Sequence, residues 1–253
     1  MTLKMNSNAK PAGNQPPRGF PDSEYAHRLE RIHCAMAQAG MDAILLTTEA
    51  DIRYVTGFAT QFWQSPTRPW FVVIPATGKP IAVIPRIGAG CMARGWLEDI
   101  RTWSSPDALD DGISLLTATL HEVAGKTGCV GVPLGRESHI RMPQADFDTL
   151  RHGLQNVRMI DSNPILRDAR MIKSQREIDK ISHVYRMVSK TFKAAPDLFY
   201  SGQSDIEAFR AFKIACLKQG VDDVSYLVGG ADLTGLAISS RRHRGGHYNA
   251  AIF

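Results

Sequence analysis

RDARMIKSQREIDKI (167–181), GQSDIEAF (202–209) and DDVSYLVGGA (222–231) hold the part of this 253-residue chain whose reading decides its organisation. Ser174 and Glu177 have the spacing of a capping box: the hydroxyl accepts from the backbone N–H three residues on, and the carboxylate reaches back. Behind them Ile178, Ile181, Val188 and Phe192 recur on one helical face, with Tyr185 near the same stripe. Pro196 ends or kinks that helix. Ser204 and Glu207 repeat the box after Gly202, and Phe209, Phe212 and Cys216 carry an apolar stripe up to Gly220. Two capped amphipathic helices are therefore expected, followed by a strand, YLVGGA (226–231), that enters a glycine turn.

Upstream, helical and strand patterns alternate. Tyr25, Leu29, Ile32 and Met36 predict a helix to about Gln38, capped by Asp22 or Ser23 and closed by Gly40. AILLTT (43–48) has strand length. In EADIRYVTGF (49–58), Tyr54 and Val55 read as a strand edge and Gly57 as a turn. QFWQSPTRP (61–69) reads as a loop. WFVVIP (70–75) and IAVIP (81–85) are apolar strands whose short connection predicts a hairpin. A glycine-interrupted helix over 87–96, a strand at 99–104, a helix at 110–124 behind Asp110-Asp111, a strand at 129–134, a helix at 142–154 and a strand at 157–161 follow. DSNPILRDARM (161–171) reads as a linker. The pattern implies an α/β unit, a mixed sheet covered by helices.

Composition excludes several classes. Apolar residues make up 43% and charged residues 22% of the chain, the balance of an ordinary globular protein. No apolar run approaches the ~18 residues that span a bilayer, so no membrane association is expected. The start, MTLKMNSNAKPAGNQPPRGF, lacks an apolar secretory core and reads as a disordered arm. Four separated cysteines without a CxxC suit reduced thiols and a cytoplasmic location. A net charge of +5, partly in RRHR (241–244), falls short of a nucleic-acid groove.

The residues alone yield no complete active site. There is no GxGxxG after a strand, no Walker loop, no HExxH and no GxSxG. His243 and His247 have a metal-compatible spacing, but Gly245 and Gly246 between them oppose a helix. Asp110-Asp111 reads as a helix cap and Asp222-Asp223 as loop acids.

At Arg170, Lys173, Ser174, Glu177, Ile178 and Ile181 the chain resembles the linker-to-helix signature R-x-x-K-[ST]-x-x-E-[IL]-x-x-[IL] of the creatinase/prolidase/methionine-aminopeptidase superfamily, the pita-bread hydrolases. Gly202, Ser204 and Glu207 look like its next element, G-x-[ST]-E-x-E. LLTTEADIRYVTGF (45–58) is similar to the signature of its N-terminal domain, and SPTRPWFVVIPATGKPIAVIP (65–85) strengthens the likeness. The resemblance covers about 22–231 and is nearest to bacterial Xaa-Pro-aminopeptidase-like and ectoine-hydrolase-like branches.

With the disordered arm over 1–21, the resemblance implies a creatinase-type N-terminal domain over 22–165 and, over 166–253, the first part of an α+β pita-bread catalytic domain. It implies descent from a C–N bond hydrolase acting on small peptides or small amides, usually a homodimer. Metal-dependent relatives hold a pair of divalent ions such as Mn, Co or Zn with acidic ligands and a histidine; creatinase uses a histidine for acid–base work. The ligand-bearing segments of relatives have no counterpart here, and ADLTGLAISSRRHRGGHYNAAIF (231–253) departs from the family pattern. A truncation or reading-frame change near residue 232 is therefore expected, with no metal bound and no activity. The alternative is a non-catalytic binding or dimerisation module. Two site expectations come from the resemblance: His247, in a His-Tyr context, as the catalytic candidate, and Phe62, Trp63 and Arg68 as a substrate-binding loop that reaches a partner's site. A bidentate guanidinium suits a substrate carboxylate; the competing reading is a surface loop with Trp63 partly packed.

Overall fold

A computed structural model describes residues 15–65, 68–136, 138–200, 202–225 and 227. Arg18–Lys173 and the chain from Ser174 onward, with the first residues up to Pro17, separate into two compact units.

The first unit is built on a six-stranded mixed sheet in the order β4-β3-β2-β1-β5-β6. Its strands are β1 (Ala43–Leu46), β2 (Phe71–Pro75), β3 (Ile81–Pro85), β4 (Ile100–Trp103), β5 (Cys129–Val132) and β6 (Arg158–Asp161). The expected hairpin is present: β2 pairs antiparallel with β3 and also with β1. β4 joins β3 in parallel, and β5 and β6 extend the other side in parallel. Successive side chains alternate between faces. Ile44, Leu46, Val72, Ile74 and Ile84 therefore meet one helical layer, and Ala43, Leu45, Phe71, Val73 and Val83 the other. Both faces are covered, as a sheet with apolar residues on each side requires.

The first layer holds α1 (Asp22–Ala39), α2 (Glu49–Thr56), the short α3 (Ala89–Met92) and α6 (Asn163–Met171); the second holds α4 (Ile113–Ala124) and α5 (Gln144–Gly153). Pro21 occupies the cap position of α1, so Asp22 falls in the first turn, where its charge suits the helix dipole. Gly40 closes the helix at φ 62°, as expected. Asp110 does cap α4, accepting from the Ile113 N–H at 2.6 Å and the Ser114 N–H at 3.2 Å.

Three stretches differ from the sequence reading. Residues 49–56 are the helix α2, not a strand edge. Thr48 caps it and donates to Asp51 at 2.7 Å, and Ile52 and Val55 are fully buried one turn apart. Capping and burial here override the β preference of Ile, Tyr and Val. The segment 163–171, expected as linker, is α6: Pro164 lies in its first turn, where a missing N–H costs nothing, and Leu166 and Ala169 are buried. The interrupted helix over 87–96 shrinks to a 3₁₀ turn at Arg86–Gly88 and α3.

Arg28 joins the first layer. Its guanidinium contacts Glu24 at 3.2 Å and donates to the Tyr54 carbonyl at 2.9 Å. It lies 4.3 Å from the Phe20 ring and 4.5 Å from the Tyr54 ring. The Tyr54 hydroxyl in turn donates to the Ala169 carbonyl of α6 at 2.6 Å. Gly57 ends α2 at φ 72°, and a Cβ there would lie 2.1 Å from the Tyr25 hydroxyl.

The second unit shows α7 (Gln175–Lys193), α8 (Ala195–Leu198) and α9 (Asp205–Lys218), and both expected capping boxes form. Phe212 and Cys216 are buried, with the Phe192 and Phe212 rings 4.9 Å apart. Ile178, Ile181 and Tyr185 remain exposed at 44, 55 and 73%. The expected strand 226–231 lies outside the described residues, Leu227 excepted. Among the described residues, no helix is long and apolar enough to cross a membrane.

Replacing Arg28 by Met removes the cation that contacts the buried Glu24 carboxylate at 3.2 Å and is expected to lower stability by about 3–5 kcal/mol. The double change Arg28→Met with Glu24→Gln should recover part of that loss in chemical denaturation; a single variant as stable as the wild type would contradict the account. Burial pushes the His33 imidazole below its usual value, against an opposing hydrogen bond to the Pro75 backbone. The unfolded chain then binds the proton more tightly, so the contribution is complete above the unfolded pKa and lost as pH falls through the folded one. His33→Gln should flatten the acid-side decline of the melting temperature, and an unchanged slope would count against it.

Candidate functional site

The candidate loop follows from the sheet's register. Leu46 at the end of β1 faces Val72 at the start of β2, and β5 runs parallel to β1 on its other side. The segments after β1, before β2 and after β5 therefore converge at one end of the sheet. Beyond the carboxyl ends of parallel strands is where open α/β sheets usually bind ligands.

Thr60 caps a 3₁₀ turn, Gln61–Gln64, accepting from the Phe62 N–H at 3.3 Å. The turn is held by stacked aromatics. Phe62 lies 6.4 Å and Trp63 5.9 Å from Trp70, and Phe58 lies 5.1 Å from the same ring. Trp63 is only 8% exposed, so its role is packing within the loop; Phe62 and Arg68 are partly exposed. The buried indole N–H groups of Trp63 and Trp70 find no acceptor among the described residues. Leaving a buried donor unpaired costs about 1–3 kcal/mol each.

Arg68 has φ 61°, the left-handed region, which a long side chain seldom occupies. It has no hydrogen-bond or ion-pair partner among the described residues. A free guanidinium held at a strained position of a loop can take a carboxylate through two parallel hydrogen bonds.

Sequence reasoning missed Arg141. It sits between β5 and α5 and donates through Nη2 to the carbonyls of Phe62 (3.3 Å), Trp63 (3.2 Å) and Ser65. Its guanidinium lies 5.4 Å from the Trp63 ring centroid. Its backbone N–H donates to the Thr47 hydroxyl at 3.3 Å, and Thr47 is fully buried at the end of β1. Burial lowers its pKa, opposed by the charge of Glu49. The available signal was a lone arginine between the apolar Ile140 and Met142 on a connecting segment.

The residues of the recognised linker signature serve structure. Arg170 pairs with Asp51 of α2 at 2.9 Å. Lys173 donates to the Arg170 carbonyl at the end of α6 at 2.6 Å. Ser174 and Glu177 cap α7. His243 and His247 lie outside the described residues. Among the described residues, no group of three or more His, Cys, Asp and Glu side chains is placed to hold a metal ion. They therefore do not fit the two-metal ligand set that the resemblance implies for relatives.

Comparison with known proteins adds a family and a fold. The family described as Creatinase/Prolidase N-terminal domain matches residues 28–172. Probable dipeptidase PepE of Mycobacterium tuberculosis is 24% identical over 216 residues, covering 85% of this chain and 54% of the relative. The crystal structure of dipeptidase PepE from Mycobacterium ulcerans matches with a TM-score of 0.67 at 24% identity, over 85% of this chain and 56% of that one. Recombinant prolidase from Thermococcus sibiricus matches with a TM-score of 0.69 at 18% identity, over 80% and 52%. At such identities the structural likeness shows the fold, which extends past the N-terminal unit. The chain spans about half the length of the curated relatives it matches.

Replacing Arg68 by Gly relieves a left-handed conformation worth about 1–2 kcal/mol, partly offset by the entropy of glycine. The variant is expected to melt higher than the wild type while losing the loop's free charge. A melting temperature below that of the wild type would show that the arginine is held by contacts of its own.

Proposed function

The chain belongs to the creatinase/prolidase N-terminal domain family, and on that premise we propose that it derives from a C–N bond hydrolase acting on small peptides. The observation that carries the reading is the loop before β2, which bears both the unpaired Arg68, at a left-handed φ, and the partly exposed Phe62. In this reading Arg68 takes the carboxylate of a small peptide, Phe62 offers an apolar contact, and Trp63 stiffens the turn between them. The names of the relatives, a dipeptidase and a prolidase, support a peptide substrate. The loop serves a site in a homodimer partner, as the resemblance suggests, and His247 is proposed as a catalytic residue on resemblance alone.

The 253-residue chain by itself is proposed to be without hydrolase activity, because no segment of its sequence matches the family's acidic ligand segments. A second reading, a binding or dimerisation module, is favoured by the exposed apolar face of α7 at Ile178, Ile181 and Tyr185. Leaving such area in water forfeits about 25 cal/mol per Å².

One preparation tests both readings. Incubated with Mn²⁺ or Co²⁺ and an Xaa-Pro dipeptide, the chain is expected to show no turnover above background, and turnover would overturn the inactivity proposal. In sedimentation velocity the same sample should run as a dimer; a strict monomer at every concentration would sink the dimerisation reading.

A further inference from the structure

We infer that Arg141 is a positioning residue for the candidate ligand loop, clamping the Phe62–Ser65 turn so that Arg68 presents its charge to an acidic ligand group. The inference rests on the reading of that loop as a ligand-binding element.

The contacts show what the guanidinium does. The Gln61–Gln64 turn is closed by the Ser65 N–H, which donates to the Phe62 carbonyl at 3.1 Å. Arg141 adds a donor from outside the turn: one nitrogen reaches the carbonyls of Phe62, Trp63 and Ser65. A cation at the carbonyl end of a turn is also favourably placed against the local dipoles. The same group covers the Trp63 ring, and the Arg141 main chain is tied to β1 through Thr47. The clamp therefore references the turn to the rigid end of the sheet.

The charge is the second observation. No ion pair to Arg141 occurs among the described residues, and the acid whose field reaches it, Glu49, is engaged by Arg53 at 3.1 Å. A turn that needed only carbonyl partners could use a neutral amide. Here a guanidinium without a contacting carboxylate lies under a loop whose next described residue after Ser65 is another unpaired guanidinium, Arg68. Such a surface favours an anion and disfavours a cation. Lysine keeps the charge but lacks the planar guanidinium that lies 5.4 Å from the Trp63 ring centroid.

The test uses the full chain as wild type, Arg141→Met, Arg141→Lys and Arg68→Ala. Amide hydrogen exchange is followed across Phe62–Ser65 and across β1 and β2. Binding of Ala-Pro and of its C-terminal amide is followed by NMR titration. In both Arg141 variants the turn should exchange about tenfold faster or more, with the strands unchanged, as expected for losing charge-assisted bonds at one place. The wild-type preference for the free acid over the amide should fall in the Arg141 variants to the level of Arg68→Ala. Unchanged exchange in the turn overturns the inference. So does faster exchange spread equally over β1 and β2, which marks a structural role, and so does an acid preference that survives in Arg141→Met. If the turn opens on substitution but the wild type never prefers the acid, the ligand reading of the loop fails and the clamp stands.

Discussion

The first unit depends on one buried cation. Arg28 and Glu24 are both almost fully withdrawn from water, one turn apart on α1. Taking two ions out of water is expensive, and their attraction repays it only where further hydrogen bonds and good geometry are present. Those conditions are met by the Tyr54 carbonyl and by the rings of Phe20, Tyr25 and Tyr54 around the guanidinium. An apolar side chain of similar volume could fill the space, but it would not dictate that the end of α2 comes to this side of α1. The arginine sets position as much as stability. Through the Tyr54 hydroxyl the same arrangement reaches α6, so three helices of one layer are placed relative to one another by contacts that start from a single guanidinium.

That constraint explains which parts of the fold were legible in the sequence. Strands with apolar residues on both faces, such as FVVIP and IAVIP, announce themselves because nothing else accommodates them. Helices with a regular stripe and a glycine stop, such as α1, do the same. α2 was misread because its eight residues are rich in β-preferring types, which hid the local cap of Thr48 on Asp51 and the burial that the fold supplies. α6 was misread because Pro164 looks like a linker residue until it is seen in a first turn. Both errors concern the helices that Arg28 and Tyr54 organise, where long-range contact outweighs local preference.

The candidate site was legible in half. Phe62, Trp63 and Arg68 stood out as aromatic and basic residues on a proline-bearing loop. Their division of labour did not, because burial of Trp63 is a property of the folded sheet. Arg141 was invisible, since its partners lie 76 to 79 residues away and nothing local distinguishes it from a surface arginine. By contrast, the signature that identifies the family is written in residues that punctuate helices: Arg170, Lys173, Ser174 and Glu177 end one helix and begin the next. Recognition here rests on architecture, and an inference about chemistry has to be argued separately from it.

The Tyr54–Ala169 bond joins residues 115 positions apart, and this bears on how the chain is made. The central strand β1 emerges early and can pair at once with β2, but its parallel partner β5 and the covering helix α6 come much later. At 5–20 residues per second, roughly 6–23 s separate synthesis of Tyr54 from that of Ala169. During that interval the open edge of β1 and the inner face of α1 await partners still to be translated, which are the conditions under which a nascent chain engages other chains or a chaperone. Commitment of the N-terminal unit to its final packing therefore waits for the synthesis of α6.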